Sequence, residues 1–180
     1  MSKAKRFSFQ NAGTLIALVI SVIAMFTSIY EANIMKTQQK SMVWPYLSLG
    51  VSYSDTGFSI RVFNNGIGPA LVKSVEVKVD GEPVETMLDM VNKLMPDNDS
   101  LGYNILRQQR IRNYVFKPGE EVEVIGFTWN QETRKLASLI DQKVHMRICY
   151  ESVLGESWIY DVRSDTHEEG SFKAAVEYQN

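Results

Sequence analysis

Between Ala12 and Tyr30 the chain reads AGTLIALVISVIAMFTSIY, and no charged residue occurs between Arg6 and Glu31. Apolar residues fall on every face of a helical projection, which is the pattern of a helix surrounded by apolar material rather than one lying on a core. At ~1.5 Å per residue this run spans roughly 28 Å, close to the hydrocarbon thickness of a bilayer. Peptide groups in lipid must pair internally, so the run is predicted to be a transmembrane helix over residues 12–30. A cleaved signal sequence has a shorter apolar core and a small-residue cleavage site. Here the polar, helix-forming EANIMKTQQK follows instead, so a retained anchor is expected. Residues 31–43 contain no Gly or Pro and should continue the helix as a stalk. Pro45 then stops it by removing a donor and restricting Trp44.

After Pro45 the period changes from helical to two. Leu47, Leu49 and Val51 alternate with Ser48 and Gly50. Phe58, Ile60 and Val62 alternate with Ser59 and Arg61. Val75, Val77 and Val79 alternate with Glu76 and Lys78. Val144, Met146, Ile148 and Tyr150 form a fourth series, and Trp158, Tyr160 and Val162 a fifth. Alternation with one apolar face marks half-buried antiparallel strands. Turn residues fall between them at 54–57, Asn64-Asn65-Gly66, Asp80-Gly81, Pro118-Gly119 and Leu154-Gly155. Two stretches return to helical spacing, VETMLDMVNKL over 84–94 and QETRKLASLI over 131–140. About seven strands in about 120 residues predict a mainly β, immunoglobulin-like antiparallel sandwich with one or two short helices, over residues 44–164. Residues 1–11 read as a flank on the cytoplasmic side. The segment Asp97–Asn113 is polar and ambiguous, and 165–180 has so little apolar content that a flexible tail is expected.

Charge adds an orientation. The chain has 180 residues and a net charge of −2, but residues 1–43 hold five Lys/Arg and one acid, and the remainder holds 14 and 20. Lys3, Lys5 and Arg6 outweigh Lys36 and Lys40, so the positive-inside rule puts the N-terminus in the cytoplasm. In a bacterium with two membranes the domain would then be periplasmic, on an inner-membrane anchor. The acidic domain lacks a basic stripe, which argues against nucleic acid as a partner.

The chemistry-bearing residues are sparse. The lone Cys149 cannot form an intrachain disulfide and reads as a small buried hydrophobe. His145 and His167 have no ligand-spaced companions, so neither metal nor cofactor is expected. Asp97, Asn98 and Asp99 lack the glutamate of a calcium loop. Glu120, Glu121 and Glu123 read as a solvated turn. Small residues recur on the apolar helix, at Gly13, Ala17 and Ser21 and at Ala24 and Ser28, a spacing that lets helices approach closely. Arg107, Arg110 and Arg112 form the local basic cluster and, with Trp44, are candidates for partner contact.

The run RVFNNGIGPALVKSVEVKVDG over 61–81 carries a resemblance. Its Asn-x-Gly-x-x-Pro-Ala turn is similar to turns of immunoglobulin-type sandwich modules. With Trp44-Pro45, Asn65-Gly66-Ile67-Gly68-Pro69-Ala70, and Tyr150-Glu151-Ser152 followed by Trp158, the chain resembles uncharacterised bacterial single-pass membrane proteins with a C-terminal immunoglobulin-like domain. That late motif carries a cysteine where this chain has Glu151. The resemblance implies a sandwich on an anchor and no activity. In the turn itself, Gly66 and Gly68 are expected to supply positive φ, Asn65 to bond its own backbone, and Pro69 to set the next strand. The glycine spacing lacks a phosphate-binding fingerprint.

The expected function is a non-catalytic interaction or accessory domain, tethered in the lipid bilayer and docking another membrane protein or a homo-oligomer. The alternative is a small-ligand sensor or effector whose domain faces the cytoplasm. An enzyme would need a site built from dispersed residues.

Overall fold

The structure, a computed structural model, describes residues 9–96 and 105–179, with residues 9–11 and 105–108 described by backbone only. Contacts divide the chain into two units, Met1–Ser41 and Met42–Asn180.

Helix α1 runs Phe9–Met42. From Gly13 to Met42 every side chain is exposed, including Leu15, Ile20, Phe26 and Ile29 at 53–63%. The helix is long and apolar enough to cross a membrane. Four hydroxyl side chains, those of Ser21, Thr27, Thr37 and Ser41, donate to carbonyls one turn back, which hides their polarity within the helix.

The second unit is a two-sheet antiparallel sandwich. Its strands are β1 Leu47–Tyr53, β2 Gly57–Asn64, β3 Ala70–Val79, β4 Glu82–Val84, β5 Ile105–Gln108, β6 Val115–Phe116, β7 Glu121–Thr128, β8 Val144–Glu151, β9 Ser157–Asp161 and β10 Thr166–Glu169. One sheet has the order β1-β2-β7-β5 and the other β10-β9-β8-β3-β4, with β6 also pairing β3. Two short helices, α2 Met87–Leu94 and α3 Gln131–Lys143, link strands. Each begins with a capping box, Thr86 with Asp89 and Asn130 with Thr133, in which two otherwise unpaired N–H groups are satisfied reciprocally. Helix α2 starts later than its apolar spacing predicts, because Val84 pairs with Val77 across β4.

Two bulges keep apolar side chains on the inner faces. The β3–β8 register shifts between Val72 and Ser74, so Ala70 and Val72 before it and Val75, Val77 and Val79 after it are all buried. The β2–β7 register shifts between Ile60 and Arg61, and Val124 and Ile125 are both buried in consequence. An extra residue in one strand reverses the phase of everything after it. Hairpin β3–β4 turns on Asp80 and Gly81, both at positive φ, as the Asp-Gly pair predicts.

The C-terminal residues depart from expectation. Instead of hanging loose, 165–179 form β10 and then cover the outer face and free edge of β3. Glu177 accepts from Ser74 Oγ at 2.7 Å and from Val75 N at 3.2 Å. Tyr178 N donates to Val75 O at 2.9 Å, and the Tyr178 and Ala174 side chains are buried. A few anchors and an unfilled strand edge outweigh the low apolar content.

Candidate functional site

The residues flagged around the Asn-Gly turn form a collar at the start of the sandwich. Gly66 and Gly68 do not adopt positive φ, contrary to expectation. They are required because the chain passes too close for a Cβ. One on Gly66 would lie 2.4 Å from Tyr46 N, and one on Gly68 would lie 1.9 Å from Val43 O. Ile67 N and Gly68 N both donate to Trp44 O, at 3.0 and 3.2 Å. Asn65 does not bond its own backbone; its amide donates to Ser48 Oγ at 2.7 Å. The neighbouring Asn64, which sequence reasoning passed over, is the organising residue. Fully buried, it accepts from Tyr46 N and Gly66 N and donates to Gly68 O and Phe116 O. The signal was available in the Asx-turn preference of an Asn two residues before a Gly.

Next to the collar, aromatic side chains of β8 and β9 close the free edge of β1. Tyr160 OH accepts from Leu49 N at 3.2 Å and donates to Asp165 Oδ1 at 3.0 Å. His167 is stacked between Tyr160, at 4.6 Å between centroids, and Tyr46, at 4.1 Å, and its Nδ1 lies 3.0 Å from Tyr150 OH. Burial pushes the Tyr160 phenol up to about 12 and raises that of Tyr150 further; burial lowers the imidazole. All three groups are held uncharged, which suits a plug over strand N–H groups that would otherwise be unpaired.

Farther along the same flank the two sheets separate around a cavity of about 240 Å³. Its wall is built by Ile60, Val77, Val124, Ile125, Val144 and Met146 from the strands, with Met90 of α2, Ile140 of α3 and the Tyr178 side chain. The bulge in β7 delivers two consecutive residues to this wall. Lining residues that reach solvent, Val51, Asp141 and Arg163, mark the mouth. The Tyr178 hydroxyl is buried without a hydrogen-bond partner and sealed from the cavity space. A cavity whose lining side chains are mostly aliphatic recognises apolar ligands chiefly by shape and burial rather than by directed bonds.

A family model described as Domain of unknown function (DUF8453) matches residues 10–178. The chain belongs to that family. The DUF8453 match takes in the apolar helix, the collar, the cavity wall and Tyr178 of the tail. No curated protein matches the chain, and no solved structure does.

The other sequence-flagged residues of this DUF8453 chain scatter. Gly13, Ala17, Ser21, Ala24 and Ser28 are exposed on α1. Trp44 is half exposed and packs edge-on against Tyr46 at 5.6 Å. Pro69 leads into β3. Arg107 lies on β5 with its side chain outside the described residues, as are Asp97, Asn98 and Asp99. Arg110 is exposed. Arg112 is turned inward, with Nε 3.6 Å from Glu177 Oε2, so it anchors the tail rather than presenting a free cation. His145 pairs with Asp161 at 2.8 Å, and Arg147 and Lys78 pair with Glu76 at 2.8 and 3.0 Å. Cys149 is buried beneath the tail, where desolvation raises its thiol. Among the described residues no His, Cys, Asp and Glu converge with metal-ligand geometry.

Proposed function

We propose that this chain is a membrane-anchored, non-catalytic accessory domain that docks another membrane protein or a second copy of itself. The observation that carries the reading is the bare helix. From Gly13 to Met42 every residue is exposed among the described residues, and so large an apolar surface must be removed from water by lipid or by other helices. Support for docking comes from the small-residue spacing on that helix, since close helix approach in lipid relies on small side chains. Support for a non-catalytic role comes from where the charges go: the Glu76, Asp161 and Arg61 pairs lie across strand faces, away from the cavity. The strand order supports an immunoglobulin-like assignment. Strands β1-β2-β7-β5 facing β9-β8-β3 follow the ABED and GFC sheets of that fold. The basic N-terminal flank supports an inner-membrane protein of bacterial type with a periplasmic domain.

The test uses full-length chain made in a bacterium. Membranes are pelleted, extracted in mild detergent, and the complex is sized by light scattering after gel filtration. The expected result is chain in the pellet, eluting as an oligomer or with a stoichiometric membrane protein. A lone monomer in detergent would refute docking, and chain left in the supernatant would refute anchoring as well.

A second reading, a small-ligand sensor or effector with a cytoplasmic domain, is favoured by the cavity. A C-terminal reporter that is active only outside the cytoplasm eliminates it.

A further inference from the structure

We propose that the cavity between the sheets takes the end of one acyl chain of an amphiphile, whose anionic head is met at the mouth by Arg163. The proposal rests on the anchoring reading only for its supply of lipid. The buried part of the lining is aliphatic and includes Ile60, Val77, Met90, Val124 and Ile125. Tyr178 offers it no hydroxyl, because that oxygen is sealed away. A trapped water needs about two to four polar partners, and these aliphatic side chains supply none. The volume of about 240 Å³ exceeds the roughly 150 Å³ that admits a benzene-sized guest and falls short of the ~300 Å³ at which drug-sized pockets begin. A single flexible hydrocarbon end meets those limits, and a bulky ring system does not.

The mouth supplies the rest. Arg163 is exposed, and among the described residues its guanidinium has no hydrogen-bond or ion-pair partner. A planar fork of donors at the rim of an apolar cavity suits a carboxylate or phosphate. Asp141 stands at the same mouth, also without a side-chain partner among the described residues. Its charge opposes a second negative group, so the head is a single carboxylate or a phosphodiester. Free fatty acid and phospholipid both present that chemistry.

Two photoreactive probes separate the sources: a fatty acid and a phosphatidyl lipid, each with a diazirine at the chain end. Full-length protein is reconstituted in vesicles containing one or the other, irradiated, digested and mapped by mass spectrometry. Labelling on α1 reports anchoring. Labelling on peptides that contain Ile60, Val124 or Met146 reports the cavity, and the probe that gives it names the source. Met146→Trp, which fills the space, should abolish cavity labelling and leave α1 labelling intact. Arg163→Gln changes only an exposed side chain and should lower cavity labelling about fivefold to tenfold, the loss expected of one charge-assisted hydrogen bond. Labelling of α1 by both probes with none at the cavity overturns the proposal and leaves the anchor standing. Absence of label from α1 and cavity alike overturns both. Cavity labelling unaffected by Arg163→Gln overturns the assignment of the head.

Discussion

Asn64 shows how much one buried amide can organise. Its four hydrogen bonds tie together Tyr46, Gly66, Gly68 and Phe116, from three separate stretches of chain. Asn64→Ala should therefore cost about 3 kcal/mol, since it strands several buried backbone groups at once; urea unfolding of the detergent-solubilised chain measures it. Tyr178 predicts the opposite. Its hydroxyl is buried with no partner, so it carries a desolvation cost and returns nothing. Tyr178→Phe should leave stability unchanged or raise it by up to about 1 kcal/mol in the same assay. A fall of that size would mean the hydroxyl is paired in solution.

At the scale of elements, the C-terminal tail and β3 are mutually dependent. Without the tail, Val75 N and O and Ser74 Oγ lose their partners, and the buried Cys149 loses its cover. Truncation after Gly170 should turn Cys149 from inert to reactive toward a colourless-to-coloured thiol reagent under native conditions, while the intact chain reacts only when unfolded. Equal rates in both forms would show that the tail does not cover the thiol. The tail also explains a limit of sequence reading. Its low apolar content correctly signals few anchors, but a gap on the edge of β3 between β4 and β6 is a property of the sheet, invisible along the chain. The strands were legible because alternation is local. The bulges at Val72/Ser74 and Ile60/Arg61 were not, since they arise in pairing with β8 and β7.

For the whole molecule, acid stability should fall in two stages. His167 is held below its usual 6.5 by burial, with Asp165 opposing. Protonation therefore favours the unfolded chain. This contribution is complete above about pH 6.5 and is lost as the pH drops beneath it. Burial alone would raise Glu76, yet hydrogen bonds and charge from Lys78 and Arg147 outweigh it; Asp161 is likewise lowered, against burial, by Ser164 N and His145. Their contributions are present above the ordinary carboxylate values of 4.5 and 3.8 and vanish as pH falls through the depressed ones. The urea midpoint followed from pH 8 to pH 3 should show both stages. His167→Gln should remove the upper one and keep the lower. An upper stage that survives the substitution assigns it to another group.

The sequence by itself determined the apolar helix, the two short helices, the alternating strands and the Asp80-Gly81 turn, because each follows from neighbours within a turn or two of chain. It also marked the right loop at residues 64–70, though with the wrong reason for its glycines: close backbone approach, not positive φ, excludes a Cβ there. Only the tertiary structure decided that Asn64 ties the collar, that His167 lies between two tyrosines, that Arg112 belongs to Glu177, and that the sheets part around a cavity. Those features join residues tens of positions apart, and a spacing rule carries no information about which distant surfaces meet.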